Sequence, residues 1–336
     1  MRVSAVRGGR AMTVGAAVLM VVIAVGVFMI ASNRFKTDSV SEQIDAGGPI
    51  LVVFLLPIGN PSPSLELLIF DVNTGRAGLL FVPGSVGMVV HDQQRVDAIA
   101  TLYNPENLEQ LMGRIGTLLG LDLSFYLDLS FKGIARLVDI LGGIELLIPE
   151  PVQATAGDRR ILLPSGNVTV DGDMSSDYLS LQTDGESDAE RVERVHQLMQ
   201  ALLRSIVSGD ELLSDPEVRQ MLYESVSTNM DRQAFEALLV ALDKLDADRV
   251  ILLRTLGRNQ TVSGRSLLFP HEEGTLLRDT VMRTVEALAR PLGSDVAELS
   301  VSVEVLNGTH ANRLAAQAGT VLESFGYEVV TVANAN

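Results

Sequence analysis

The chain has 336 residues, a mean hydropathy of +0.26 and a formal charge of −16, with 42 acidic against 26 basic side chains. That acidity excludes nucleic acid as a partner, because such binding needs a basic footprint. The absence of cysteine excludes disulfides and thiol chemistry, and a 47% hydrophobic content suffices for one sizeable core plus a small second domain.

From Ala11 to Ala31 the sequence carries no charge, and these 21 residues match the roughly 20 that a helix needs to cross a bilayer. Arg2, Arg7 and Arg10 precede them without an acidic residue, so the positive-inside rule keeps residues 1–10 cytoplasmic and sends the remainder across the membrane. The competing reading is a cleaved signal peptide, against which stand the length of the apolar run and the lack of a small-x-small site before Thr37. Residues 1–36 hold five of the basic side chains, which leaves 21 basic against 42 acidic on the exported remainder, a net −21. Residues 32–48 read as a polar linker.

Folding resumes at Pro49. Ile50 to Leu56, Leu65 to Asp71 and Ala77 to Pro83 are apolar runs separated by turn signals, the pattern of buried strands. Asn104 as cap, Pro105 in the first turn and Gly120 as stop predict a helix between them. A strand over Leu123 to Leu129, a helix over Ser130 to Leu141, a Gly142-Gly143 turn and a strand over Ile144 to Ile148 form a unit typical of layered α/β architecture, with helices packed on a central sheet. Ser187 and Glu190 have capping-box spacing and open a long helix with Val192, Val195, Met199, Leu202, Leu203 and Ile206 inward. Helices follow over Asp215 to Ser225 and Asp231 to Leu245, strands over Val250 to Leu256 and Ser266 to Phe269, and a helix over Thr275 to Ala289. The break from Pro291 to Asp295 marks a domain boundary, after which a strand, a helix and a strand complete a small unit over 298–336.

The most chemically suggestive group lies at the head of the long helix, where Asp188, Arg191 and Arg194 are spaced three apart and so share a face. Two guanidiniums beside a helix N-terminus suit phosphate or pyrophosphate. The same residues also fit a solvated face in which Glu190 pairs with Arg194. His91, His196, His271 and His310 are scattered without metal-ligand spacing, and no GxSxG, Walker or GxGxxG loop is present.

Asp128, Phe131, Gly133, Leu137, Val138, Asp139, Leu141, Gly142 and Gly143 follow a long pattern that resembles the LytR-CpsA-Psr family, the LCP or cell envelope-related transcriptional attenuator proteins. Gly166, Val170, Asp171, Gly172 and Tyr178 extend the likeness, and Asp188, Arg191 and Arg194 fall where the family has an acidic residue and two arginines. The segment from Ser300 to Val332 is similar to the first half of the LytR C-terminal domain. The resemblance implies a layered α/β/α LCP-like domain with a central mixed sheet over 49–290, including a helical extension, plus a small C-terminal α/β unit and one N-terminal transmembrane helix.

Family members are implied to move a glycopolymer from a polyprenyl-pyrophosphate carrier to peptidoglycan with magnesium, arginines holding the pyrophosphate and an apolar channel taking the lipid. Arg191 and Arg194 would then be pyrophosphate ligands and Asp188 a metal ligand. Leu118, Phe125, Phe131, Ile134 and Val138 would line the lipid channel or simply fill the core. This chain departs from the family where arginines are expected: Gly84 and Ser85 replace the Arg-Asp of the strand-end motif, and Ser180 and Gln182 replace the arginines of Tyr-x-Arg-x-Arg. Three lost guanidiniums remove on the order of 5 to 9 kcal/mol of grip, about a thousandfold to a millionfold in binding. The sequence therefore predicts a catalytically depleted envelope protein that binds polymer or lipid carrier. The alternative is a divergent phosphotransferase that recruits Arg95 or Lys132.

Overall fold

A computed structural model describes residues 43, 48–58, 63–90, 95–148, 151–156, 159–181, 187–291, 302–308, 314–316, 318–319 and 328–334. The expected membrane helix over 11–31, and all but residue 43 and residue 48 of the linker ahead of Pro49, lie outside these residues. Among the described residues no helix is long and apolar enough to cross a membrane.

Three apolar strands form the centre: β1 (Ile50–Leu56), β2 (Ser64–Asp71) and β3 (Arg76–Val82), joined as an antiparallel meander. A short hairpin follows, β4 (Gly87–Val90) and β5 (Arg95–Ala98). Helix α1 (Glu109–Leu119) leads to β6 (Phe125–Asp128), α2 (Phe131–Ile140) and β7 (Ile144–Ile148). The hairpin β8 (Val152–Ala156) and β9 (Arg159–Leu163), then β10 (Gly166–Val170) and α3 (Gly172–Ser180), precede the long helix α4 (Asp188–Ser208). Beyond it come α5 (Asp210–Leu213), α6 (Pro216–Glu224), β11 (Ser227–Thr228), α7 (Arg232–Leu242), β12 (Ile251–Arg254), the hairpin β13 (Gly257–Val262) and β14 (Arg265–Pro270), and α8 (Thr275–Leu288). The main sheet has the order β11-β6-β1-β2-β3-β12, with β6 parallel to β1 and β12 parallel to β3, so it is mixed.

β1 and β2 read as nearly continuous apolar runs because both faces of the sheet are covered. Val52, Phe54, Leu68, Phe70, Leu79 and Phe81 face one core, closed by α2, α4, α6 and α7. Val53, Leu55, Leu67, Ile69, Leu80 and Val82 face the other, closed by α1 and α8. This is the expected three-layer arrangement. The first helix begins four residues later than predicted: Asn104 and Pro105 form a turn, in which Asn104 Oδ1 accepts from Glu106 N at 3.1 Å. Gly120 does stop it, at φ 71°. The Ser187–Glu190 capping box is present as read, with both reciprocal bonds formed.

The chain divides into one compact unit ending at Ala289 and a second from Arg290. In the second, β15 (Ser302–Asn307) and β16 (Glu328–Asn334) pair in parallel. Residues 314–316 and 318–319 between them are helical.

Candidate functional site

A cavity of about 320 Å³ opens where the C-terminal ends of the parallel strands β3 and β12 meet the first turn of α4. Phe81, Pro83, Gly84 and Ser85 continue from β3, and Arg254 and Thr255 end β12. Ala189, Arg191 and Val192 contribute from α4, while Asn259, Ser266 and Leu268 of the β13–β14 hairpin close the outer side. Its volume is at the lower end of small-ligand sites. Among the described residues no carboxylate lines it, and the two charged side chains are both arginines, so an otherwise acidic protein concentrates positive charge here.

Local bonds fix the walls. Ser64 Oγ accepts from Gly84 N at 3.3 Å, Leu268 N donates to Ser85 O at 3.0 Å, and the Thr255 hydroxyl donates to Phe81 O at 3.0 Å. Arg265 Nη1 bonds Asp97 Oδ1 at 2.9 Å, tying the outer hairpin to β5. Gly84 supplies backbone at this corner and nothing more. The positive charge comes from Arg191, half-buried, and Arg254, exposed, on elements that converge only in the fold.

Next to Phe81 lies a buried pairing of a carboxyl with an imidazole. Glu66 of β2 is 0% exposed and His196 of α4 is 3% exposed, with Nε2 3.1 Å from Oε1. The contact is close but poorly aligned, and neither Glu66 oxygen has another hydrogen-bond partner among the described residues. Burial pushes the Glu66 carboxyl above its usual range, against the downward pull of His196. On the far side of this pair is a second, wholly apolar cavity of about 50 Å³, lined by Phe54, Leu127, Met199, Leu202, Phe235 and Leu238 among others.

The residues singled out in the sequence fare differently. Arg191, Gly84 and Ser85 come together at the arginine-lined cavity. Arg194 does not line it: Nη2 donates to Leu181 O at 2.8 Å and the guanidinium lies 5.9 Å from the Tyr178 ring centre. The alternative pairing of Glu190 with Arg194 is not formed either, because Glu190 Oε2 accepts from Ser187 N at 2.7 Å. Ser180 is exposed at the end of α3, its hydroxyl turned back to Asp177 O. Gln182 and the side chains of Asp188 and Arg95 lie outside the described residues. Lys132 is exposed on α2 and lines neither of these two cavities. Of the five residues considered for a lipid channel, Phe125, Ile134 and Val138 are core on the α4 side and Phe131 packs against them. Leu118 packs in the opposite core, beyond the sheet, so the five share no cavity. His196, one of the four histidines without metal-ligand spacing, is buried; a glutamate inside an otherwise apolar strand is the signal that a polar partner has to face it. Arg254 carries no motif and escapes a reading of the sequence alone.

A magnesium ion takes oxygen donors, carboxylates foremost. The described lining offers hydroxyls, one amide and two cations, and no group of three His, Asp or Glu side chains gathers among the described residues. The side chain of Asp188, the metal ligand expected from the sequence, lies outside the described residues.

Residues 82–278 match the LytR_cpsA_psr family, and residues 300–336 match the LytR cell envelope-related transcriptional attenuator domain. The chain belongs to the LytR_cpsA_psr family. It is 27% identical over 199 residues to the probable cell wall biosynthesis protein LcpB of Corynebacterium glutamicum, covering 59% of this chain and 45% of that one. It is 21% identical over 170 residues to the polyisoprenyl-teichoic acid–peptidoglycan teichoic acid transferase TagU of Bacillus mycoides, covering 50% and 55%. The chain thus spans about half the length of these curated relatives. The crystal structure of B. subtilis TagV has the same LytR_cpsA_psr fold, with a TM-score of 0.59 at 16% identity over 71% of this chain and 98% of that one.

Proposed function

We propose that this LytR_cpsA_psr protein is held by a single N-terminal membrane helix, with its main domain outside the cytoplasm, and binds phosphate groups of an envelope glycopolymer at peptidoglycan without sustaining family-level phosphotransfer. The observation that carries this reading is the convergence of Arg191 and Arg254 on one cavity whose β3 corner is Gly84-Ser85. Two guanidiniums bind an anion through charge-assisted bonds of about 1.5 to 3 kcal/mol each. Phosphoryl transfer needs more: charge on the transferring group must be neutralised and the nucleophile positioned. The missing carboxylate at Ser85 and the missing guanidinium at Gly84 remove groups suited to those roles. The uncharged run at 11–31 and the three arginines ahead of it support the membrane placement.

The purified full-length chain in nanodiscs is expected to bind inorganic pyrophosphate by calorimetry, and to turn over a polyprenyl-pyrophosphate glycan at least a thousandfold more slowly than an active relative assayed alongside. Transfer at a comparable rate would overturn the depleted reading. It would favour the second reading, an active transferase in which Arg254 replaces the arginine absent at Gly84, a substitution supported by their shared cavity wall.

A further inference from the structure

The two walls of the arginine cavity differ in kind. Arg191 and Arg254 stand on α4 and at the end of β12, whereas the β13–β14 hairpin, which closes the outer side, presents an amide and a hydroxyl, Asn259 and Ser266. Side chains alternate across a strand, and in the hairpin register Asn259 lies opposite Leu268 and Thr261 opposite Ser266, so these four share one face. The charged residues of the hairpin, Arg258 and Arg265, fall on the other face with Gln260, and Arg265 is held by Asp97 at 2.9 Å. The face toward the cavity is therefore polar and uncharged. It is also fixed in place, because Leu268 N donates to Ser85 O at 3.0 Å and Val86 bridges to Leu268 in parallel. Beside it Leu256, 50% exposed, lines the same cavity and offers an apolar surface.

We infer that Asn259 and Ser266 read the sugar that carries the bound phosphate, so that the hairpin, and not the arginines, sets which glycan phosphate this cavity takes. Room for a sugar is present: the cavity holds about 320 Å³, and a phosphate of five non-hydrogen atoms takes at most about 150 Å³ at the roughly 30 Å³ that a water claims in the liquid. The arginines select by charge and hold any phosphate alike. Sorting one sugar from another needs fixed donors and acceptors, because a hydroxyl in the wrong configuration leaves a polar group unpaired. An amide and a hydroxyl each donate and accept, which suits the hydroxyls of a pyranose, while the C–H face of the ring suits Leu256. This inference rests on the reading of the cavity as a phosphate site and names the specificity-determining residues within it.

The test titrates the full-length chain in nanodiscs by calorimetry with inorganic pyrophosphate, with methyl phosphate, a monoester without a sugar, and with the 1-phosphates of glucose, galactose, mannose and N-acetylglucosamine. At least one hexose phosphate is expected to bind the wild type about fivefold or more tighter than methyl phosphate. In Asn259→Ala/Ser266→Ala, at two exposed positions, that advantage is expected to fall below about twofold, the loss of two neutral hydrogen bonds, with methyl phosphate affinity and melting temperature unchanged. Gln260→Ala, on the opposite face of the same strand, is expected to keep the advantage. If every hexose phosphate gains less than about fivefold over methyl phosphate on the wild type, the sugar subsite is overturned, while pyrophosphate binding leaves the phosphate site standing. An advantage of about twofold or more kept in the double variant, or one lost equally in Gln260→Ala, overturns the hairpin face as its source. Failure of pyrophosphate itself to bind overturns the phosphate site and the sugar reading with it.

Discussion

The Tyr103 hydroxyl donates a 2.8 Å hydrogen bond to Asp128 Oδ2, joining the loop before α1 to the end of β6. Burial and this carboxylate together raise the Tyr103 hydroxyl to about 12. A tyrosine with a raised folded value contributes stability that is fully present below about 10 and is lost as pH climbs toward 12. Tyr103→Phe is expected to lower stability by about 0.5 to 1.5 kcal/mol at neutral pH, and to flatten the alkaline loss. Urea denaturation at neutral pH and at rising alkaline pH measures both effects.

Asp139 Oδ1 accepts from Gly172 N at 2.8 Å, and α3 crosses α2 closely enough that a Cβ on residue 172 would strike the Ala135 carbonyl. Gly172→Ala must push the two helices apart. The expected loss is about 1 to 3 kcal/mol, the usual cost of overpacking, read as a drop in melting temperature without change in pyrophosphate affinity.

This crossing also explains what the sequence made legible. Asp139, Gly142, Gly143 and Gly172 belong to the family-like pattern because the backbone requires them: Gly142 and Gly143 have φ of 79° and 99°, and Gly172 lies against Ala135. Such local demands leave a mark in residue type, as do the apolar periods of β1, β2 and α4. The hairpins β4–β5 and β13–β14 left little, since Gly257 to Val262 is mostly exposed and polar and only pairing with β14 makes it a strand. The arginine cavity was half legible: Arg191 had its helix-head spacing, whereas Arg254 reaches the site through the parallel pairing of β12 with β3, a long-range relation that leaves no sequence period.

Glu66 and His196 give a stability test separate from ligand binding. His196→Leu strands a buried carboxylate and is expected to cost about 3 to 5 kcal/mol at neutral pH, whereas Glu66→Leu/His196→Leu is expected to be neutral or stabilising. The Glu66 carboxyl is raised in the fold, so its contribution is greatest below the ordinary value of 4.5 and falls as pH rises through it. The His196→Leu deficit should therefore shrink in acid. Thermal melts of both variants at neutral pH and at pH 4.5 or below would reveal it, and equal deficits at both would contradict the pair's electrostatic role.

Arg254, and not Arg194, joins Arg191 at the cavity. Arg194 holds the Leu181 carbonyl and flanks Tyr178, whose hydroxyl donates to Gln197 Oε1 at 2.7 Å, so it braces α3 against α4. Arg254 faces the cavity. Arg254→Ala and Arg191→Ala are each expected to weaken pyrophosphate binding about tenfold to a hundredfold, the loss of one charge-assisted contact, with little change in melting temperature. Arg194→Ala is expected to do the reverse, lowering the melting temperature while leaving pyrophosphate affinity within about threefold. Because Arg254 is exposed and Arg191 half-buried, raising salt should erode the Arg254 contribution first. Calorimetric titrations of the three variants at low and high salt would establish which arginines meet the anion, and a larger affinity loss from Arg194→Ala than from Arg254→Ala would return the site to the helix head alone.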